Sequence, residues 1–284
     1  MEVALVSVDA PKVNRALMQI SSYHKNKGDK VYWHKPLFQS PDITYLSKLF
    51  NFTPDYQYIP ADCKVVRGGS GYDVKSKLDH DIAKADLDYS IYPDCDYSIQ
   101  FFSRGCIRNC PFCIVREKEG YIRPVEPDNL NPRGKYIEIL DNNFFANPEW
   151  KKASEQIIEW GQPVNMQGVD ARILTEEHAH YLNKFKHIKQ IHIAWDNPKE
   201  DLVPKLKDIL KHIKAYKLMC YVLIGYWSTP EEDLYRVEKL RELKIDPFVM
   251  PFDKSDTYQR NFARWVNMKA VWRTVKWEDY RKTS

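Results

Sequence analysis

Cys106, Cys110 and Cys113 fall within eight residues, in the stretch Ser103-Arg104-Gly105-Cys106-Ile107-Arg108-Asn109-Cys110-Pro111-Phe112-Cys113. Three thiolates separated by three and then two residues can bind three irons of one [4Fe–4S] cube from a single loop. The fourth iron then has no protein ligand. An open coordination position on a reducible cluster is what inner-sphere chemistry requires, whereas a pure electron carrier closes it with a fourth cysteine. The alternatives are a zinc site and unligated thiols. Structural zinc takes four ligands, commonly in paired knuckles. No fourth cysteine or histidine lies at knuckle spacing, and the nearest preceding histidine is His80. The remaining cysteines, Cys63, Cys95 and Cys220, are scattered. Six cysteines so distributed in a long chain are not a secreted disulfide framework, and a reducing, cytoplasmic compartment is expected.

A loop of this kind needs strands to present it. From residue 98 onward, strands are expected at 98–102, 136–140, 164–169, 190–194, 219–224 and 248–250, with helical segments between them. Leu206, Ile209, Leu210 and Ile213 mark one apolar helix stripe, and Leu234, Val237, Leu240 and Leu243 mark another. The second helix opens on Thr229-Pro230-Glu231-Glu232, where Thr229 can cap, Pro230 suits the first helical position and Glu232 completes a capping box. Six strand–helix units in series predict a curved, parallel, partial (β/α)6 barrel with its functional groups at the C-terminal strand ends.

Upstream, runs at 3–8, 31–33, 43–46 and 64–66 read as strands. Val13, Leu17 and Ile20 recur at helical spacing before the stop Lys27-Gly28-Asp29. Strand, helix, strand at this spacing predicts a small doubly wound, Rossmann-like unit with parallel pairing. The fold class is α/β, with domains expected at 1–90 and 91–284 and an acidic, tyrosine-rich junction at 86–96. Residues 262–280, with Trp265, Trp272 and Trp277, predict a hydrophobic closing helix rather than a base-stacking platform.

Composition sets the outer bounds. With 284 residues, 43% hydrophobic and 29% charged, the chain is a globular protein of one large domain, or of a barrel-like domain and a smaller one. It holds no run of about 18 apolar residues, so no transmembrane helix and no membrane partner are expected. The first residues lack the basic start of a secretory signal and read as a buried strand. A net charge of +4, from 43 basic and 39 acidic residues interspersed, suits nucleic acid or an acidic substrate without diagnosing either. The basic residues that thicken toward Arg281 and Lys282 read as solvated surface.

The cysteine stretch resembles the C-x3-C-x-aromatic-C signature of the radical S-adenosylmethionine (SAM) superfamily. Ser103-Arg104-Gly105 before it resembles the form common in members that carry an N-terminal cobalamin-binding-like domain. The resemblance implies a [4Fe–4S] cluster on Cys106, Cys110 and Cys113, with SAM chelating the unique iron and Phe112 packing near its adenine. It implies reductive cleavage of SAM to methionine and a 5′-deoxyadenosyl radical that abstracts hydrogen from substrate. An electron donor such as flavodoxin or ferredoxin is implied as a partner. Ile139-Leu140-Asp141-Asn142-Asn143-Phe144 resembles the second-strand motif of this branch. Gln167-Gly168-Val169-Asp170-Ala171-Arg172 resembles the third-strand segment that turns an arginine toward the SAM carboxylate, a task suited to bidentate guanidinium. Trp195-Asp196 ends the fourth strand, and Val222-Leu223-Ile224-Gly225 resembles the fifth-strand motif that packs on adenine. The residues expected at SAM or substrate are therefore Phe112, Asp141, Asn143, Gln167, Arg172, Asp196 and Leu223. A turn or cap role is the alternative for the Asp and Asn positions.

Departures from the family narrow the chemistry. Asp9-Ala10-Pro11-Lys12-Val13-Asn14 lacks the histidine and glycine of the D-x-H-x-x-G cobalt-ligand segment, although Ser47-Lys48-Leu49 and Gly68-Gly69 keep the form of two later motifs. The N-terminal domain is thus expected to be degenerate and cobalamin is not expected, which leaves a cobalamin-dependent methyltransferase only as an alternative. Cys63 and Cys95 are too few for a methylthiotransferase's second cluster, and no cysteine follows Cys220. Two classes remain open: an enzyme that abstracts hydrogen from an unidentified substrate, and a non-catalytic iron–sulfur protein on the same fold.

Overall fold

Parallel strands that alternate with helices account for most of the regular structure. The computed structural model describes residues 1–10 and 12–280; Pro11, and Arg281 and Lys282 of the basic C-terminal stretch, lie outside the described residues. The chain divides into two compact units. The first comprises Met1–Ile99, Cys113–Tyr121 and Glu126–Lys135, and the second comprises Gln100–Phe112, Ile122–Val125 and Tyr136–Ser284.

In the first unit, β1 (Glu2–Ser7), β2 (Lys30–Trp33), β3 (Ile43–Ser47) and β4 (Lys64–Gly68) form a sheet of order β2-β1-β3-β4, every pair parallel. Helix α1 (Arg15–Asn26) is capped by Asn14, whose side chain accepts from Leu17 N–H at 3.3 Å. Its Leu17 and Ile20 pack with Val3, Leu5, Ile43 and Tyr45 in one apolar core. Helix α2 (His80–Ala83) adds Ile82 to that core. Parallel pairing follows the sequence expectation, but the doubly wound pattern is thinner than expected. The connections 34–42 and 48–63 carry no helix. Pro36, Pro41, Pro54 and Pro60 interrupt them, and each removes a backbone donor that a helix interior needs.

The motif remnants in this unit have local structural work. Asp9 accepts from Leu49 N–H at 2.8 Å, Phe50 N–H at 2.9 Å and Thr53 Oγ at 3.0 Å, closing the turn after β3. Gly69, at φ +96°, lies so close to Lys48 that a Cβ would meet its carbonyl oxygen at 2.3 Å. That approach alone demands glycine.

Strand β5 (Tyr97–Gln100) crosses into the second unit at Gln100, and helix α3 (Val115–Glu119) belongs to the first. The segment 126–135, expected in the second domain, packs with the first unit instead. Asn129 Oδ1 accepts from Leu87 N–H at 2.6 Å, and Asn131 Nδ2 donates to the carbonyls of Cys95 and Tyr97 at 2.9 and 3.1 Å.

The second unit starts with a two-residue antiparallel ladder between β6 (Ser103–Arg104) and β7 (Arg123–Pro124). Then follow β8 (Tyr136–Ile139), α4 (Trp150–Trp160), β9 (Val164–Met166), α5 (Glu176–Lys184), β10 (Ile191–Ala194), α6 (Val203–Ile209), β11 (Leu218–Ile224), α7 (Pro230–Glu242) and β12 (Asp246–Pro251). β8 pairs with β9, and β10-β11-β12 form a sheet, all in parallel. An isolated parallel bridge, Val169 to Ile193, connects the two sets. Gln100 O accepts from Leu140 N–H at 2.9 Å beside β8.

β11 shows how the sequence sorts the two faces of these strands. Leu218, Cys220, Val222 and Ile224 are fully buried, while the alternate residues Met219, Tyr221 and Leu223 are half-buried. Helix α7 has the capping box that the sequence predicts, with Glu232 N–H on Thr229 Oγ1 and Thr229 N–H on Glu232 Oε2. The closing segment is three helices rather than one: α8 (Thr257–Asn267), α9 (Lys269–Thr274) and α10 (Trp277–Tyr280). The breaks let Trp265 pack edge-on against Trp272 (4.9 Å) and tilted against Trp277 (5.4 Å) and donate from its indole to Val275 O.

Candidate functional site

The cysteine loop is anchored at its base. Ser103 and Arg104 pair with Pro124 and Arg123, and Val125 N–H donates to Phe102 O at 3.0 Å. Gly105, at φ +86°, then turns the chain into Cys106 through a conformation that favours glycine. Below the loop, buried Asp141 accepts from Phe102 N–H at 2.9 Å and from the Ser103 hydroxyl. Burial pushes the Asp141 carboxyl up to about 6 against the pull of those hydrogen bonds. Asp141, expected at SAM or substrate, has both carboxylate oxygens engaged in clamping the point where the loop leaves the sheet.

Arg108 ties the loop to the strand that follows. Its N–H donates to Cys106 Sγ at 3.3 Å, and its guanidinium Nε donates to Asp170 Oδ2 at 2.9 Å. Asp170 is the hub. It also accepts from Arg172 Nε at 2.6 Å and Nη2 at 3.1 Å, and from Asn143 Nδ2 at 3.2 Å. Burial works to raise its carboxyl, but the hydrogen bonds and charges of Arg172 and Arg108 outweigh it and hold Asp170 below the usual carboxylate range. Arg172 also reaches Glu200 through Nη1 at 3.3 Å. Asn143 is buried, with its Oδ1 unpartnered among the described residues. Gly168 sits so tightly on the Asp141 turn that a Cβ would meet Asp141 O at 1.7 Å.

Two cavities in the second unit collect most of the remaining candidates. One, of about 210 Å³, is lined by Cys110, Phe112, Arg108, Arg172, Asp196 and Trp227, among others. The second, of about 540 Å³, shares Phe112 and Asp196 with the first and adds Leu223, Phe248, Met250 and Lys254. Phe112 meets Tyr226 and Trp227 edge-on, with ring centroids 5.6 and 5.8 Å apart. Asp196 Oδ1 accepts from Leu223 N–H at 3.2 Å. Burial raises the Asp196 carboxyl, the Leu223 bond and the charges of Arg236 and Arg172 opposing it.

No family model matches the chain, and no curated protein matches it. The site therefore has to be read from its own chemistry. Phe112, Arg172, Asp196 and Leu223 come together beside Cys110, while Asp141, Asn143 and Gln167 stand outside that group. Gln167 is exposed, yet its amide donates to buried Glu138 Oε2 at 2.6 Å. The three cysteines are outside any disulfide, Cys106 and Cys110 half-buried and Cys113 exposed. Among the described residues, no three His, Cys, Asp or Glu side chains converge on one point as a single-ion site requires. A cube is held at three separate irons and makes no such demand, so three thiols from one loop fit it as a donor set.

Sequence reasoning passed over Asp170, Arg108 and Arg236. Arg236, fully buried on α7, donates to the carbonyls of Trp195 (2.8 Å), Asp196 (3.3 Å) and Leu223 (3.0 Å) while paired with Asp233 at 2.7 Å. It pegs the ends of β10 and β11 at the cavity rim. Its place in the apolar stripe region of α7 gave no sign of this.

Proposed function

We propose that the chain is a radical SAM enzyme, with β5 and β8 to β12 forming a partial (β/α)6 barrel and the cavities at the C-terminal strand ends receiving SAM. The observation that carries the reading is the small cavity where Cys110, Phe112, Arg172 and Asp196 meet. A cluster ligand, an aromatic surface and a guanidinium are the parts needed to hold SAM against an open iron. Cys106, Cys110 and Cys113 would hold a [4Fe–4S] cluster. When bound, it supplies the electron that cleaves the SAM sulfonium, releasing methionine and a 5′-deoxyadenosyl radical that takes hydrogen from substrate.

The chain's own residues orient and shield. Phe112 and Leu223 present apolar surface to the adenine, and Trp227 covers Asp196 through its indole bond to Asp196 O at 3.1 Å. Arg172 has its Nε/Nη2 edge committed to Asp170, so Nη1 is the group left for the SAM carboxylate, in exchange for Glu200. Arg108 N–H donates to Cys106 Sγ and orients that sulfur in the loop. Flavodoxin or ferredoxin is the proposed electron donor, and no cobalamin is proposed because the segment 9–14 carries no histidine ligand. Anaerobic reconstitution with iron and sulfide, followed by SAM and dithionite, tests the reading. 5′-Deoxyadenosine should form; a fully loaded cluster that leaves SAM intact would identify a non-catalytic iron–sulfur protein instead.

A further inference from the structure

The strand face that leads up to the large cavity carries a buried polar layer that the SAM reading does not use. Glu138 on β8 lies opposite Asn165 on β9 in the parallel register. Its Oε2 accepts from Asn165 Nδ2 at 2.7 Å and from Gln167 Nε2 at 2.6 Å. His192 on β10 faces Tyr221 on β11, with Nδ1 to Tyr221 Oη at 3.4 Å and ring centroids 5.3 Å apart. Tyr221 in turn packs on Phe248, a wall of the 540 Å³ cavity, at 5.7 Å. Glu138 is 5% exposed, Asn165 1% and His192 5%, whereas Gln167 beside them is exposed.

The bonding of this layer is one-sided. A carboxylate only accepts, so both amides must turn their nitrogens to Glu138, and Asn165 Oδ1 is forced to point elsewhere. That oxygen is buried without a partner, and so is His192 Nε2. Either of Tyr221 Oη and His192 Nδ1 can donate to the other; with Nδ1–H directed at Tyr221, Nε2 is an acceptor, the form that an N–H-bearing ligand would select. Burial, helped by Lys189, keeps His192 below its ordinary value while the charge of Glu138 works the other way, so the imidazole is neutral near pH 7. Glu138 has no ion-pair partner among the described residues. A buried acid without a countercharge, beside Asn165 Oδ1 and His192 Nε2 that have no partner among the described residues, calls for a ligand that brings both positive charge and N–H donors.

The geometry points to a binding site for an N–H-bearing organic cation, a protonated amine, on Glu138, Asn165 and His192. That the amine belongs to the substrate rests on the radical SAM reading; the binding itself does not. The test is a titration of the full-length protein, as purified and without SAM, at pH 7.5 and constant ionic strength. Ethylammonium is the probe, and the ring resonances of His192 are followed by NMR. A saturable shift is expected with ethylammonium and none with ethanol, which lacks charge, or tetramethylammonium, which lacks N–H. Glu138→Gln should weaken the ethylammonium response at least tenfold, and Asn165→Asp, by adding charge at the orphan oxygen, should strengthen it. Equal responses to ethylammonium and tetramethylammonium would overturn the proposal. So would unaltered binding in a folded Glu138→Gln variant or, if that variant does not fold, no gain in Asn165→Asp. 5′-Deoxyadenosine formation in the reconstituted enzyme is read separately, so the amine site and the SAM reading can fail independently.

Discussion

Arg108 Nε and Asp170 Oδ2 lie 2.9 Å apart, which joins the loop carrying Cys106 and Cys110 to the turn after β9. The same carboxylate fixes Arg172 two residues on. One acid thus sets the position of a guanidinium proposed for SAM and of the segment between two proposed cluster ligands.

Asp170→Ala should loosen both. Two arginines lose a shared partner, but their side chains are 35% and 28% exposed and regain some solvation. A loss of about 2 kcal/mol is expected, below the value for a fully buried pair. SAM affinity should fall roughly tenfold, and further than in Asp170→Asn, which keeps one acceptor. Urea unfolding and equilibrium SAM binding measure the two effects.

Glu200 and a SAM carboxylate would compete for Arg172 Nη1. Glu200→Gln removes the charged competitor, so SAM binding should tighten about three- to tenfold, as the loss of a partly exposed ion pair implies. Isothermal titration with SAM reads this directly. Unchanged affinity would mean that the SAM carboxylate does not use this edge.

Asp141 has an opposite pH signature to a salt-bridged acid. Its carboxyl is pushed up from 3.8 to about 6 by burial. The folded state therefore holds this proton more tightly than the unfolded chain. Stability from the group is fully present below about pH 4, declines as pH rises toward 6 and is absent above. The span corresponds to ~3 kcal/mol. Asp141→Asn lacks this dependence, so its stability relative to the parent should rise by about that amount between pH 4 and 7 in urea unfolding.

Arg236→Met should be among the most damaging single changes. It strands the buried carboxylate of Asp233 and leaves the Trp195 and Leu223 carbonyls without their guanidinium donor. A loss of about 3–5 kcal/mol is expected. The double variant Arg236→Met/Asp233→Leu should recover part of it, because removing both charges avoids an uncompensated one. Chemical unfolding of the two variants side by side gives the coupling.

Much of this framework could be read from the sequence, because local chemistry dictates it. Thr229-Pro230-Glu231-Glu232 names its own helix start, and the apolar run at 219–224 names a strand. Asp, Asn and Gln were less legible. An Asp at a strand end serves equally as clamp, hub or ligand, and the choice depends on what arrives from far along the chain. Asp141 meets Ser103, and Asp170 meets Arg108, across 38 and 62 residues. Arg172 and Asp196, named from the ends of two strands, do line one cavity. Glu138 was not, since a lone acid inside an apolar strand reads as an exposed position.

Gly168 leaves no room for even a methyl group against Asp141. The turns after β8 and β9 are therefore a single inherited piece: a lineage that replaced Gly168 would have to rebuild the clamp on the cysteine loop in the same step. Among descendants of this chain, residues 141–143 and 167–170 should change together or stay as they are, while the solvent-facing residues of the helices between the strands drift independently.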